Sequence, residues 1–128
     1  MPTADEQAVL ETNLAFYRAF QTMDYEAMNE LWARSVPVAS VHPLGALVRG
    51  REDVMEAWRL ILSNPDQPLV LSGDARAVVT DTFAYVTCRE VAGGTPLVST
   101  NLYVREAGAW RIAHHHSSLV VLESAPSE

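Results

Sequence analysis

The sequence predicts an α+β domain in which helices cover one face of an antiparallel sheet, and three observations predict it. Apolar residues recur at helical spacing in three stretches, from Val9 to Phe20, from Met28 to Trp32 and from Val54 to Leu62. From Pro68 onward they alternate with the period of a strand. The alternating stretches are joined by short turn sequences with no room for helical crossovers, so neighbouring strands run antiparallel. A chain of 128 residues holds one core and a modest cavity, which reads as a single domain over 1–128 with a loose tail from Glu123 to Glu128.

Each element has a local cause. Thr3 followed by Glu6 has the form of a capping box, and Val9, Leu10, Phe16, Tyr17 and Phe20 then mark the buried side of a first helix. A second short helix starts near Asp24 and carries Met28, Leu31 and Trp32. A strand from Val36 to His42 is closed by Pro43 and Gly45. Gly50 opens a third helix with Glu52 and Asp53 at its positive end and Val54, Trp58, Ile61 and Leu62 on one side, and Asn64-Pro65-Asp66 ends it. Four strands follow, Val70 to Val79, Phe83 to Val91, Leu97 to Arg105 and Trp110 to Leu122, separated at Thr80-Asp81, Gly93-Gly94 and Ala107-Gly108.

The turns set an expected register. With Gly93-Gly94 and Ala107-Gly108 as two-residue loops, Thr87 lies opposite Thr100, and Thr100 opposite His115. That face also carries Phe83, Tyr85, Val98, Leu102 and Val104, so as the more apolar one it is expected to meet the helices, with Arg89 and Ser117 one step further along. The opposite face, with Val86, Cys88, Asn101, Tyr103, Ile112, His114 and His116, is expected to pair with a second copy of the chain as a homodimer. A loop one residue longer would flip the last strand and exchange His115 for His114 and His116.

Composition removes several function classes. A net charge of −7 with nine scattered basic residues disfavours a nucleic-acid backbone or an anionic membrane as partner. Cys88 is the single cysteine, which leaves no intrachain disulfide and no multi-thiolate zinc site and agrees with a reducing cytoplasm. The acidic start Thr3-Ala4-Asp5-Glu6 lacks the basic and apolar regions of a signal peptide, and no apolar run has spanning length, so a soluble cytoplasmic protein is expected. Alternation sends adjacent members of His114-His115-His116 to opposite faces, and no carboxylate partner is evident, so no metal is expected. No spacing suggests a cofactor box, and no Ser or Cys has the setting of an activated nucleophile.

Phe16-Tyr17-Arg18-Ala19-Phe20 before Asp24, His42-Pro43, Gly50-Arg51-Glu52 leading to Trp58, and Trp110-Arg111-Ile112 running into His114-His115-His116-Ser117 together resemble the nuclear transport factor 2-like superfamily, in particular its SnoaL-like branch. The resemblance covers nearly the whole chain. It implies three helices over a strongly curved sheet, forming a cone with a pocket at its open end. It also sets a chemical test, because ketosteroid isomerases of this superfamily need a base and an acidic pair that stabilises an enolate oxygen. By that resemblance His42 stands at the base position, with Phe16 and Thr100 at the donor positions, so the steroid-isomerase set is missing. Tyr17, one residue on, is turned away by about 100°.

The expected pocket then has His42 and His115 as acid/base candidates, since imidazole titrates near neutral pH, with a structural role at a strand end as the alternative for His42. Trp32, Trp58, Phe83, Tyr85, Thr87, Thr100, Leu102 and Ser117 are expected to line it, and Arg89 either binds a substrate carboxylate or pairs with Glu56. Three functions stay open: a pocket for a small apolar or aromatic ligand, an enzyme of the isomerase, cyclase or hydratase type, and an oligomerisation module similar to a kinase association domain.

Overall fold

The computed structural model describes residues 1–121; the expected tail lies outside the described residues. Helix α1 (Ala4–Gln21) starts on the reciprocal cap anticipated above, with the Glu6 amide donating to Thr3 Oγ1 at 3.1 Å and the Thr3 amide to Glu6 Oε1 at 2.8 Å. Helix α2 (Tyr25–Leu31) is capped by Asp24, whose carboxylate accepts from the Ala27 amide at 3.0 Å. Helix α3 (Arg51–Leu62) follows Gly50, whose φ of 88° and ψ of 144° suit glycine and few other residues.

Strands β1 (Ala39–Val41) and β2 (Leu47–Arg49) form a short hairpin, and β3 (Val70–Val79), β4 (Ala84–Ala92), β5 (Thr95–Glu106) and β6 (Ala109–Leu119) form a long meander. The sheet order is β2-β1-β6-β5-β4-β3. Two expectations need correction here. β1 is shorter than Val36 to His42, because Pro37 has no amide for a ladder bond. The sheet is mixed, since β1 runs parallel to β6, with Ser40 beside His115. The α+β cone itself is the architecture found, with all three helices on one face of the sheet.

Both expected two-residue loops are present. Ala92 pairs with Thr95 across Gly93-Gly94, and Glu106 pairs with Ala109 across Ala107-Gly108, with positive φ at all four loop residues as a type I′ turn demands. Thr87 does lie opposite Thr100. Thr100 lies opposite His116, however, and not His115, because the β5–β6 ladder shifts between Leu102 and Tyr103. Leu102 pairs with His114 and Tyr103 with Ile112, so Ala113 is an extra residue, a β-bulge.

The helix-facing side is also the opposite of the expected one. Val86, Cys88, Ser99, Asn101, Tyr103, Trp110 and Ile112 are buried beneath the helices, whereas Phe83, Thr87, Arg89, Val98 and Thr100 are exposed on the far face. His115 and Ser117 nevertheless point to the helices, because the bulge reverses the alternation within β6. The core is aromatic: Trp58, fully buried, meets Phe16 and Phe20 edge-to-face at centroid distances of 5.5 and 4.9 Å.

Candidate functional site

A cavity of about 230 Å³ opens between α1, α3 and the end of the sheet where β1, β4, β5 and β6 meet. Its polar lining is His42, Gln67, Glu90, His115 and Ser117. Phe20, Pro43, Ile61, Val70 and Leu97 supply its apolar wall. The volume falls below the roughly 300–1,000 Å³ common for drug-sized ligands, so the space suits a small molecule.

Local structure explains the convergence. Ser40 and His42 share one side of β1, and the parallel pairing of β1 with β6 sets them beside His115 and Ser117. The two imidazole rings lie 5.6 Å apart, centroid to centroid. Trp58 packs edge-on against His42 at 4.8 Å, and Phe16 sits 5.0 Å from His115.

His115 is 1% exposed and is fixed by its partners. Its Nδ1 lies 2.6 Å from Asn101 Oδ1. The amide nitrogen of Asn101 donates to Asn13 Oδ1 at 2.9 Å and to the Tyr17 hydroxyl oxygen at 3.2 Å, while the Tyr103 hydroxyl donates to Asn13 Oδ1 at 2.7 Å. Asn101 therefore presents its oxygen to His115, which must carry its proton on Nδ1. Among the described residues no hydrogen bond engages His115 Nε2. Burial pushes the pKa of His115 well below its ordinary value, with the neighbouring His42 adding to the effect. Burial alone pushes His42 down to about 4. Its Nε2 lies 3.2 Å from Ser40 Oγ. Both rings are neutral near pH 7.

Beside them stands a carboxylate. Glu90 is 3% exposed, and its two oxygens accept from the hydroxyls of Tyr17 and Ser117, the latter at 2.5 Å. The Tyr17 hydroxyl accepts from Asn101, which leaves its own proton for Glu90. Burial, followed by the Glu90 charge, raises the Tyr17 pKa far above the ordinary phenol value, so this donor keeps its proton. Burial likewise raises Cys88 and keeps it a thiol.

The residues expected to line a pocket divide into groups. His42, His115 and Ser117 line the cavity. Trp58 backs both imidazoles without lining it. Trp32 is fully buried away from it, bridged to Ile112. Phe83, Tyr85, Thr87, Arg89, Thr100 and Leu102 belong to the far face, by the parity argument above. Of these, Thr87, Arg89 and Thr100 line an open groove of about 590 Å³ on that face. Arg89 approaches Asp74 at 3.6 Å, and Glu56 instead pairs with Arg59 at 2.6 Å. The far face also carries His114 and His116, whereas Val86, Cys88, Asn101, Tyr103 and Ile112 are core and cannot meet a second copy.

Glu90, Asn13 and Gln67 went unremarked in the sequence, Asn101 was placed on the dimer face instead, and Tyr17 is not turned away, since its hydroxyl reaches the cavity carboxylate. Two signals were available. Glu90 continues the parity of Val86 and Cys88, which makes it a charge on a core-facing row, and Asn13 sits four residues from both Val9 and Tyr17 on the buried side of α1.

Comparison with known proteins adds to this geometry. A family model described as SnoaL-like domain matches residues 9–122. The chain is similar to a candidate dehydratase of the NTF2-like family from Streptomyces avermitilis, with 30% identity, 95% of this chain and 100% of the other covered, and a TM-score of 0.85. It is similar to a candidate calcium/calmodulin-dependent protein kinase type II association domain from Thiobacillus denitrificans, with 27% identity, 94% and 97% covered, and a TM-score of 0.76. Among curated proteins it is 28% identical over 123 residues to the Arabidopsis thaliana F-box protein SKIP8, covering 94% of this chain and 53% of that one. The chain thus spans about half the length of this relative. No helix among the described residues is long and apolar enough to cross a membrane.

Proposed function

We propose, from the premise that this chain belongs to the SnoaL-like domain family, that its cavity is an acid/base site of the isomerase or dehydratase type, at which His115 moves a proton of a small substrate. The observation that carries this reading is the convergence of two neutral imidazoles and a carboxylate on one small buried space. Burying so many polar groups destabilises a fold unless they are mutually satisfied, and such clusters concentrate at functional sites. The 30% identity to a candidate dehydratase supports the same class.

The roles follow from the hydrogen bonds. Asn101 holds the Nδ1 proton of His115 and thereby leaves the Nε2 lone pair for the substrate. As Nε2 takes a proton, the positive charge develops in a cavity that already contains the Glu90 carboxylate. The imidazolium then returns the proton elsewhere on the substrate or to a departing hydroxyl. His42, anchored by Ser40, is the second proton carrier.

The test uses the protein in D2O with a panel of small hydroxy-carbonyl compounds that includes neutral, acidic and amine-bearing members, followed by NMR for deuterium uptake or loss of water. At least one compound is expected to turn over, with His115→Gln slowing it by about 10²–10⁴-fold while circular dichroism stays unchanged. Turnover that survives in a folded His115→Gln variant overturns the role of His115.

A second reading rests on the far face of the sheet. Leu71, Val78, Val91 and Val98 are 42–52% exposed there and lie on one side by their pairings. We propose that this face pairs with a second copy, a role that the likeness to a candidate association domain also supports. Light scattering is expected to give a dimer or larger assembly, and Val98→Asp to dissociate it. A monomer at high micromolar concentration rules this out.

A further inference from the structure

We infer that the natural ligand of the cavity carries a protonated amine, which the Glu90 carboxylate binds. This deepens the acid/base reading above and rests on the cavity being a ligand site.

Glu90 is held in the cavity wall as a hydrogen-bond acceptor. Tyr17 donates to one carboxylate oxygen and Ser117 to the other, at 2.5 Å. A side chain with both oxygens accepting is an ionised carboxylate. At 3% exposure, such a charge is expensive to bury without a counter-charge, and two neutral hydroxyls offset only part of the lost hydration.

Among the described residues no counter-charge comes from the rest of the cavity. Burial keeps His42 and His115 neutral at pH 7, and Gln67 and Ser117 carry no charge. Among the described residues no arginine lines the cavity, and the chain has no lysine at all. Among the described residues the single charge facing the space is negative. An anionic ligand would meet repulsion there, a neutral one would leave the carboxylate uncompensated, and an ammonium would complete it with a charge-assisted hydrogen bond.

The remaining walls fit the rest of such a molecule. Phe20, Ile61, Val70 and Leu97 form an apolar lining for a short hydrocarbon or aromatic skeleton, and the Phe20 ring is attractive to a cation. The overall charge of −7 favours the approach of a cation over that of an anion. The cavity of about 230 Å³ limits the ligand to a small amine.

The experiment titrates three probes of nearly one shape, benzylamine, benzyl alcohol and benzoate, into the isotopically labelled full chain at pH 7 and follows the amide resonances of Glu90, His115 and Ser117. Benzylamine is expected to shift these resonances and to bind about ten-fold or more tightly than benzyl alcohol, with benzoate weakest. Glu90→Gln is expected to abolish the preference, so that benzylamine and benzyl alcohol bind that variant equally. If the alcohol or benzoate binds as well as the amine, the ligand class is wrong while the cavity remains a ligand site. If none of the three shifts these resonances, the cavity reading itself falls and this inference falls with it. The comparison of probes in the unaltered protein is decisive even if Glu90→Gln does not fold.

Discussion

Truncating Trp58 to alanine is expected to destabilise the protein by about 3–5 kcal/mol, a large part of the stability of a domain of this size. Trp58 is fully buried and touches the rings of Phe16, Phe20, His42 and His115 at once. Its removal forfeits its own burial and leaves a void that α1 cannot fill, since α1 is held by the β-sheet behind it. It also removes the wall against which both imidazoles are oriented. Urea unfolding of the two proteins checks the size of the effect, and Trp58→Phe is expected to recover much of it. A loss under about 1 kcal/mol would mean that the aromatic cluster is not the keystone of this core.

Acidification supplies the second large effect. The folded-state pKa of His42 is depressed to about 4 from 6.5, and that of His115 is depressed as well, so the unfolded chain binds protons that the folded chain refuses. The stability conferred by these neutral rings is complete above pH 6.5 and is lost as pH falls toward their folded-state values. For His42 alone the loss between pH 6.5 and 4.5 is about 2–3 kcal/mol. Glu6, held low by the Thr3 amide, and Glu56, held low by Arg59, act in the same direction only below their unfolded value of 4.5, which leaves the upper window to histidine. Stability measured by denaturant at pH 6.5 and 4.5 is expected to drop in the unaltered protein and to drop less in His42→Gln. A flat profile in the unaltered protein would show that the rings charge without penalty and are not buried as described.

The elements were legible because their causes are local. The Thr3 and Asp24 caps, Gly50 and the two type I′ loops each act over a few residues. Facing was harder. Counting apolar residues pointed to the wrong side of the sheet, because the true inner face holds Glu90, Ser99, Asn101, His115 and Ser117 and compensates their polarity by hydrogen bonds among them. The extra residue at Ala113 was equally invisible, since a bulge leaves the composition of a strand unchanged. These two departures offset each other in β6, so the sequence reading turned His115 inward for a reason the fold does not use. Glu90 escaped notice because a single charged residue at the end of a strand resembles a solvent-facing one until its parity is followed.

The polar floor of the cavity has a further consequence for how this scaffold changes over time. Tyr103, Asn13, Asn101, Tyr17 and Glu90 form one connected network: Asn13 Oδ1 accepts from both Tyr103 and Asn101, Asn101 also donates to Tyr17, and Tyr17 donates to Glu90. Substituting one member strands a buried atom on its neighbour, so the effects of changes here do not add. Paired changes within this network are therefore expected to cost less than the sum of the single ones, which double-mutant cycles check. Descendants that keep the fold but adopt another chemistry have to exchange several of these positions together, and the path between two such chemistries crosses a less stable intermediate unless the core elsewhere is robust enough to carry it.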